Sequence, residues 1–212
     1  MTSSSYRGRL REKLQHGGVP RLLVDGLSRL GIHFVPYYLM SEDCNARIGS
    51  PKKRGFEVVR LQREDMRRLA EVPLQARNHA SLIERLNDGK HCLALEERGR
   101  IAAYGWYDLD ECNFQGFRFD LAEDEAYLFD SYTLPEHRGA GLAPYLRSCL
   151  YHELAVAGRR RLYSITSYFN PSAFRFKAKL GARALHLGVH FQLSDRIRIS
   201  RILRRYPPQD PD

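Results

Sequence analysis

From Leu142 to Leu154 apolar side chains return at helical spacing, as Leu142, Tyr145, Leu146, Cys149, Leu150 and Leu154. This predicts a helix over Gly141–Ala157, closed by Gly158. The dense apolar run Tyr127-Leu128-Phe129 before it reads as a strand over Glu125–Thr133, and Arg161–Thr166 reads as the next strand. A second helix is predicted over Pro171–Leu180, with Asn170 as its N-cap and Gly181 behind it. Upstream, the pattern gives a strand at Phe56–Leu61 and helices at Arg63–Ala70 and Asn78–Asn87. A hairpin of His91–Glu97 and Arg100–Leu109 follows, turning at Glu97-Arg98-Gly99, and Glu111–Phe119 reads as a loop. Ala182–Leu193 is a strand, and Arg196–Leu203 either completes its hairpin or forms a helix.

The first fifty residues have a different texture. Val19–Leu30 carries Leu22, Leu23, Leu27 and Leu30 at helical spacing, with Gly31 as a C-cap. Ile32–Met40 is an apolar strand in which Pro36 favours a sheet edge. Asn45–Arg54 is a polar connector. The expected organisation is an N-terminal extension over 1–54 (helix plus edge strand), one domain over 55–205, and a disordered tail over 206–212.

Composition narrows the class. Hydrophobic residues make up 43% of 212 positions, enough for an ordinary core. No apolar run of membrane-spanning length occurs, and the polar start Met1-Thr2-Ser3-Ser4-Ser5 lacks the apolar stretch of a secretory signal, so a cytoplasmic location is expected. Cys44, Cys92, Cys112 and Cys149 form no C-x-x-C pair, which argues against zinc or a disulfide framework, and no metal site is expected. The net charge of +9 suits an anionic partner: a nucleotide-like cofactor, an acidic carrier protein, RNA or anionic lipid.

The candidate chemistry lies where the first strand hands over to the long helix: Asp130-Ser131-Tyr132-Thr133-Leu134-Pro135-Glu136-His137-Arg138-Gly139-Ala140-Gly141-Leu142-Ala143. A helix start leaves backbone N–H groups unpaired at the positive end of the macrodipole. Glycines let a phosphate approach those amides closely, and Arg138 adds a charge. About thirty residues on stand Asn170, Ala173, Lys179, Leu180 and Gly181, following the next strand.

This pair of motifs resembles the GCN5-related N-acetyltransferase (GNAT) family. Arg138, Gly141 and Ala143 match its pyrophosphate loop, and Asn170, Ala173 and Lys179-Leu180-Gly181 match its second motif. The likeness covers residues 55–195 and is strongest over 126–182. It implies an α+β fold: a mixed, mostly antiparallel central sheet with a parallel splayed strand pair and helices on both faces. It also implies an acyl-CoA-dependent N-acyltransferase, with acetyl-CoA or another acyl-CoA as co-substrate and an amine acceptor. The pantetheine arm would pair with Ser131, Tyr132, Thr133 and Leu134, opposite Tyr163–Ser167. The pyrophosphate would meet Arg138, Gly139, Ala140, Gly141, Leu142 and Ala143. Asn170 and Ala173 would lie near the cofactor, although Asn170 serves equally as a helix cap.

The resemblance further implies direct transfer, with a main-chain N–H polarising the thioester carbonyl, a carboxylate taking the amine proton and a tyrosine protonating the thiolate. Asp130, among Phe129 and Tyr132, is the carboxylate candidate, with a structural Arg partner as the competing reading; Glu125 and Asp108 are weaker choices. His137 reads as a solvent-exposed side chain. The family's tyrosine position holds Lys177, which leaves Tyr168 as the substitute acid and leaves room for a protein that binds the donor and transfers nothing.

The acceptor surface would come from 63–87, 108–120 and 185–198. The middle segment reads as a solvated loop whose acidic residues would suit a cationic amine. An acidic acyl carrier protein fits the +9 charge, but its prosthetic arm lacks the diphosphate that the turn is built for. The basic run Arg196, Arg198, Arg201, Arg204 and Arg205 lacks interleaved aromatics, which disfavours nucleic acid. The N-terminal strand could cover the acceptor cleft, extend the sheet or make a homodimer.

Overall fold

The computed structural model describes residues 32–44, 53–72, 78–115, 117–193 and 197–207. The predicted helix over 19–30, most of the connector over 45–54 and the end of the tail lie outside these residues. The chain forms two compact units. The larger holds residues 43–112 and 120–163, and the smaller holds those up to 42, 113–119 and those from 164 onward.

In the larger unit four strands make antiparallel ladders in the order β2 (Glu57–Leu61), β3 (His91–Glu97), β4 (Arg100–Asp108) and β7 (Glu125–Thr133). The strand β8 (Arg161–Ser167) starts beside β7, where the Arg160 and Arg161 N–H groups both donate to Asp124 O. The two run in parallel, the one parallel pair of a mixed sheet. They are joined by the helix α3 (Leu142–Val156).

Helices cover both faces of these strands. Leu142, Leu146, Cys149, Leu150 and Leu154 of α3 pack on Leu93, Leu95, Ala103, Leu128 and Leu162. The other face packs Cys92, Ala94, Tyr104 and Trp106 on Met66 and Leu69 of α1 (Met66–Ala70) and Leu82 of α2 (His79–Asn87). The α3 stripe buries because its apolar positions recur every three or four residues. The helix ends in a Schellman motif: Gly158 has φ +80°, Gly158 N donates to Ala155 O and Arg159 N donates to Leu154 O. Asn78, the first residue of the helix predicted over Asn78–Asn87, stands just outside α2 and caps it through its side chain.

The smaller unit orders its strands β10 (Ile197–Arg205), β9 (Arg183–Leu193), β1 (Ile32–Asp43) and the end of β8. The helix α4 (Pro171–Lys179) follows β8. Two expectations are corrected. The strand containing Pro36 is not at an edge: β1 lies between β9 and β8. Pro36 O accepts from Tyr168 N, one residue past the end of β8. The missing Pro36 N–H points the same way, toward Tyr168 just past the end of β8, so its absence falls at the last rung of that ladder. Residues 111–119 are not a loop, since β5 (Glu111–Phe114) and β6 (Phe117–Asp120) pair as a hairpin. Its Phe114 and Phe117 rings lie 5.3 and 5.7 Å from the ring of the fully buried Tyr37. Aromatic burial in the smaller unit thus fixes a segment that composition alone marks as solvated. The piece after residue 196 is a strand and completes the last hairpin with β9.

Candidate active site

Asp130 sits at a β-bulge. Ala103 opposes Thr133 and Tyr104 opposes Tyr132, but Trp106 opposes Phe129, which leaves Asp130 and Ser131 together facing Gly105. Asp130 takes up the bulge with φ +50°, a left-handed conformation that Asp tolerates better than most residues. Gly105 is needed opposite, because a Cβ there would lie 2.9 Å from Ser131 Oγ and 3.2 Å from Leu150 Cδ1. The bulge re-aims the Asp130 carboxylate toward α2, where Oδ2 accepts from Arg85 Nη1 at 2.6 Å. The Arg85 guanidinium lies over Trp106 and Phe129, 5.2 and 5.5 Å from their ring centroids. The expected apolar setting of Asp130 therefore includes a cation stacked on those same aromatic rings.

The two other carboxylates named from sequence are engaged elsewhere. Glu125 is buried and accepts from Tyr163 Oη at 2.8 Å, Arg161 Nη1 at 3.1 Å and Ala122 N at 3.1 Å. Asp108 is buried, accepts from the Asp110 and Glu111 N–H groups and lies 3.3 Å from Lys90 Nζ. Of the three, Asp130 alone keeps partial exposure.

Past the bulge, β7 remains paired to β4 through Thr133, and Leu134 N donates to Ala102 O. A short 3-10 turn over Pro135–His137 follows, with the His137 ring edge-on to Phe56. Arg138 folds back over β7: its Nε donates to Thr133 O, its Nη2 to Tyr132 Oη, and its guanidinium covers the Tyr132 ring. Gly139 and Gly141 have φ of +83° and +71°, and Gly141 caps α3 with no side-chain hydrogen bond. The first intrahelical bond is Tyr145 N to Gly141 O, so the Leu142 and Ala143 N–H groups precede it. A Cβ built on Gly139 meets nothing within 4 Å, so the turn is open on that side. These features fit a diphosphate: unspent amides, a helix N-terminus and an open approach.

Lys53 was not singled out by the sequence. Its Nζ donates to Ala140 O, and its backbone N donates to Tyr145 Oη at 3.1 Å. The cation thus stands against the glycine turn. The run Lys52-Lys53-Arg54 is the available signal, and it lies in a polar stretch whose composition predicts only a connector. Arg85 left no signal of its own, since an ion pair spanning 45 positions makes no local pattern.

The remaining expected residues belong to the smaller unit. Asn170 Oδ1 accepts from Ala173 N at 3.1 Å, so the side chain caps α4. Tyr168 is exposed and stacks on Tyr38 at 5.7 Å. Lys177, at the family's tyrosine position, donates from Nζ to Ile165 O at 3.1 Å. The four cysteines are buried and none is in a disulfide. Burial pushes the Cys112 thiol up to about 12 and the Cys149 thiol up to about 11, which keeps both protonated. Among the described residues no cluster of His, Cys, Asp or Glu could hold a metal ion, and no helix is long and apolar enough to cross a membrane.

A family model for the acetyltransferase (GNAT) family matches residues 56–182, which include β2 through α4 and the whole glycine turn. The chain belongs to the GNAT family. No curated protein sequence matches it. Among solved structures it is similar to a GNAT-family protein from Novosphingobium aromaticivorans, at 21% identity and a TM-score of 0.56, over 75% of this chain and 65% of the other. It is also similar to a GNAT-family acetyltransferase from Colwellia psychrerythraea, at 16% identity and a TM-score of 0.57, over 76% of this chain and 57% of the other. A GCN5-related N-acetyltransferase from Kribbella flavida gives 16% identity and a TM-score of 0.53, over 78% and 61%. The chain therefore spans less than two thirds of the length of each of these structures, and the likeness concerns the fold.

Proposed function

We propose that the protein is an acyl-CoA-dependent N-acyltransferase that passes an acetyl group from acetyl-CoA directly to an amine. The observation that carries this reading is the turn Arg138–Ala143, with two glycines at positive φ, an uncapped helix N-terminus and the Lys53 ammonium against it. The amides of this turn hold the donor's diphosphate, with Lys53 and Arg138 supplying positive charge. The pantetheine arm follows β7 over Ser131–Leu134, in keeping with the family.

In this reading Asp130 accepts the proton of the acceptor amine. The amine nitrogen forms a bond to the thioester carbonyl carbon, the C–S bond breaks, and the CoA thiolate leaves with the electron pair. Tyr168 is the proposed source of the proton that neutralises the thiolate. Arg85 holds the Asp130 carboxylate in place. Asp108 and Glu125 do not compete for the role of base, because their oxygens serve buried hydrogen bonds. A cytoplasmic location and a small-molecule or peptide amine are part of the same proposal.

A second reading is donor binding without transfer. It is favoured by Lys177, which holds the family's tyrosine position and donates to the Ile165 carbonyl. One experiment separates the two: isothermal titration with CoA, followed by release of free thiol from acetyl-CoA across a panel of amines. Binding with turnover supports the transferase, and binding without turnover supports the sensor. Absence of CoA binding removes both.

A further inference from the structure

Among the described residues, six of the nine most exposed large apolar or aromatic side chains lie on just three strands of the smaller unit: Phe34, Leu193, Ile197, Ile199, Ile202 and Leu203. The registers place most of them together. Phe34 opposes Phe191, and Phe191 opposes Ile199, so these three form one row across β1, β9 and β10. Leu193 opposes Ile197 two residues along, on the same face. In the other direction Ile199 is followed on that face by Arg201 and, past the bulge at Ile202/Arg204, by Arg204. Both arginines are exposed. The face is thus an apolar patch bordered by guanidinium groups on β10, the outermost of the described strands on that side. Neither β9 nor β10 contains an acidic residue.

Two features decide what covers this face. It is a sheet surface with apolar side chains standing outward, and acidic side chains are absent from the two described strands β9 and β10 that carry most of it. A second copy pairing along β10 would set a strand bearing Arg201, Arg204 and Arg205 against an identical one, which like-charge repulsion opposes. An anionic surface meets both requirements, because apolar side chains enter the acyl boundary while long arginine stems reach the phosphates. We infer that the β1–β9–β10 face docks the protein onto the surface of an anionic phospholipid bilayer, as a peripheral contact and not a span. The net charge of +9 adds a long-range attraction of the same sign.

The test is co-sedimentation of the full chain with vesicles of phosphatidylcholine alone, or of phosphatidylcholine mixed with phosphatidylglycerol. Binding is expected only to the mixed vesicles, weakening as salt is added. Arg201→Ala and Arg204→Ala each weaken it about fivefold, and Ile199→Asp about tenfold. Circular dichroism melts establish that the variants are folded, and the lipid and salt comparison on the unaltered chain needs no variant. Equal sedimentation with both vesicle types, or none with either, overturns the proposal. Binding that these substitutions leave unchanged overturns it too, by moving the contact elsewhere on the chain. A monomer–dimer equilibrium in lipid-free buffer that Ile199→Asp abolishes would assign the face to a second copy instead.

Discussion

Arg85 of α2 and Asp130 of β7 meet at 2.6 Å, and the meeting depends on a bulge that turns the carboxylate out of the strand's regular alternation. The pair links a helix on one face of the sheet to the strand that carries the proposed donor contacts.

Replacing Asp130 with Asn keeps the shape of the bulge and removes the proposed base. Acetyl transfer to the best amine should fall by about a hundredfold or more, with CoA affinity by calorimetry changed by less than about threefold. An Asn variant as fast as the parent would leave Asp130 as a purely structural partner of Arg85.

Gly105 lies opposite the bulge. Gly105→Ala forces a Cβ to 2.9 Å from Ser131 Oγ and 3.2 Å from Leu150 Cδ1, and should destabilise the fold by about 1–3 kcal/mol in urea titration. Adding Ser131→Ala relieves the closer of the two contacts, so the double variant should recover part of the loss. Recovery of nothing would mean that the Leu150 contact dominates.

At the glycine turn, Lys53→Ala should weaken CoA binding about tenfold, as expected for loss of a charged contact to a diphosphate. The effect should shrink as salt rises. Gly139→Ala places a side chain at φ +83° and should cost about 1 kcal/mol of stability as well as affinity. Calorimetry at two salt concentrations checks both. Dephospho-CoA, which retains the diphosphate, should show the same dependence on Lys53.

Much of this architecture is legible in the sequence where local rules suffice. The α3 stripe, the Asn170 cap and Gly158 each follow from a few neighbouring residues, and the structure contains all of them. The glycine turn is also readable, because it is a single continuous stretch. What escapes is set by distant partners. Phe114 and Phe117 look like loop aromatics until Tyr37 arrives from residues far upstream. Pro36 signals an edge until the neighbouring strand is seen to stop short of it. The Arg85 partner of Asp130 and the Lys53 beside Ala140 belong to the same group, since both depend on tertiary placement.

His186 should make stability depend on pH. Its ring is buried against Tyr37 and Phe117, and desolvation, with Arg205 adding to it, holds the imidazole below its ordinary value. The unfolded chain then binds more protons than the folded one as the medium turns acid, so stability rises with pH. It should be intact above about pH 6.5 and fall below that until the folded ring itself is protonated. His186→Phe keeps the aromatic packing and should flatten this slope in urea titrations across the acid range. The half-buried His91 is also held low by desolvation, so some slope should remain.

Native protein should show no reaction of its thiols with Ellman's reagent, and all four cysteines should react once it is unfolded. This also leaves the thiol-release assay free of background from the protein.

The position of β1 between β9 and β8 bears on how the chain assembles during synthesis. One of its two flanking strands, at residues 183–193, leaves the ribosome about a hundred and fifty residues after it. Until then Tyr37 and Leu39 have no complete slot, and a stretch rich in aromatic and aliphatic groups must wait uncovered. Such distant closure is slow. Nascent chains stalled before residue 183 should therefore be the form most in need of a chaperone, and deleting the first strand should harm the last two more than it harms the ladder of β2, β3, β4 and β7.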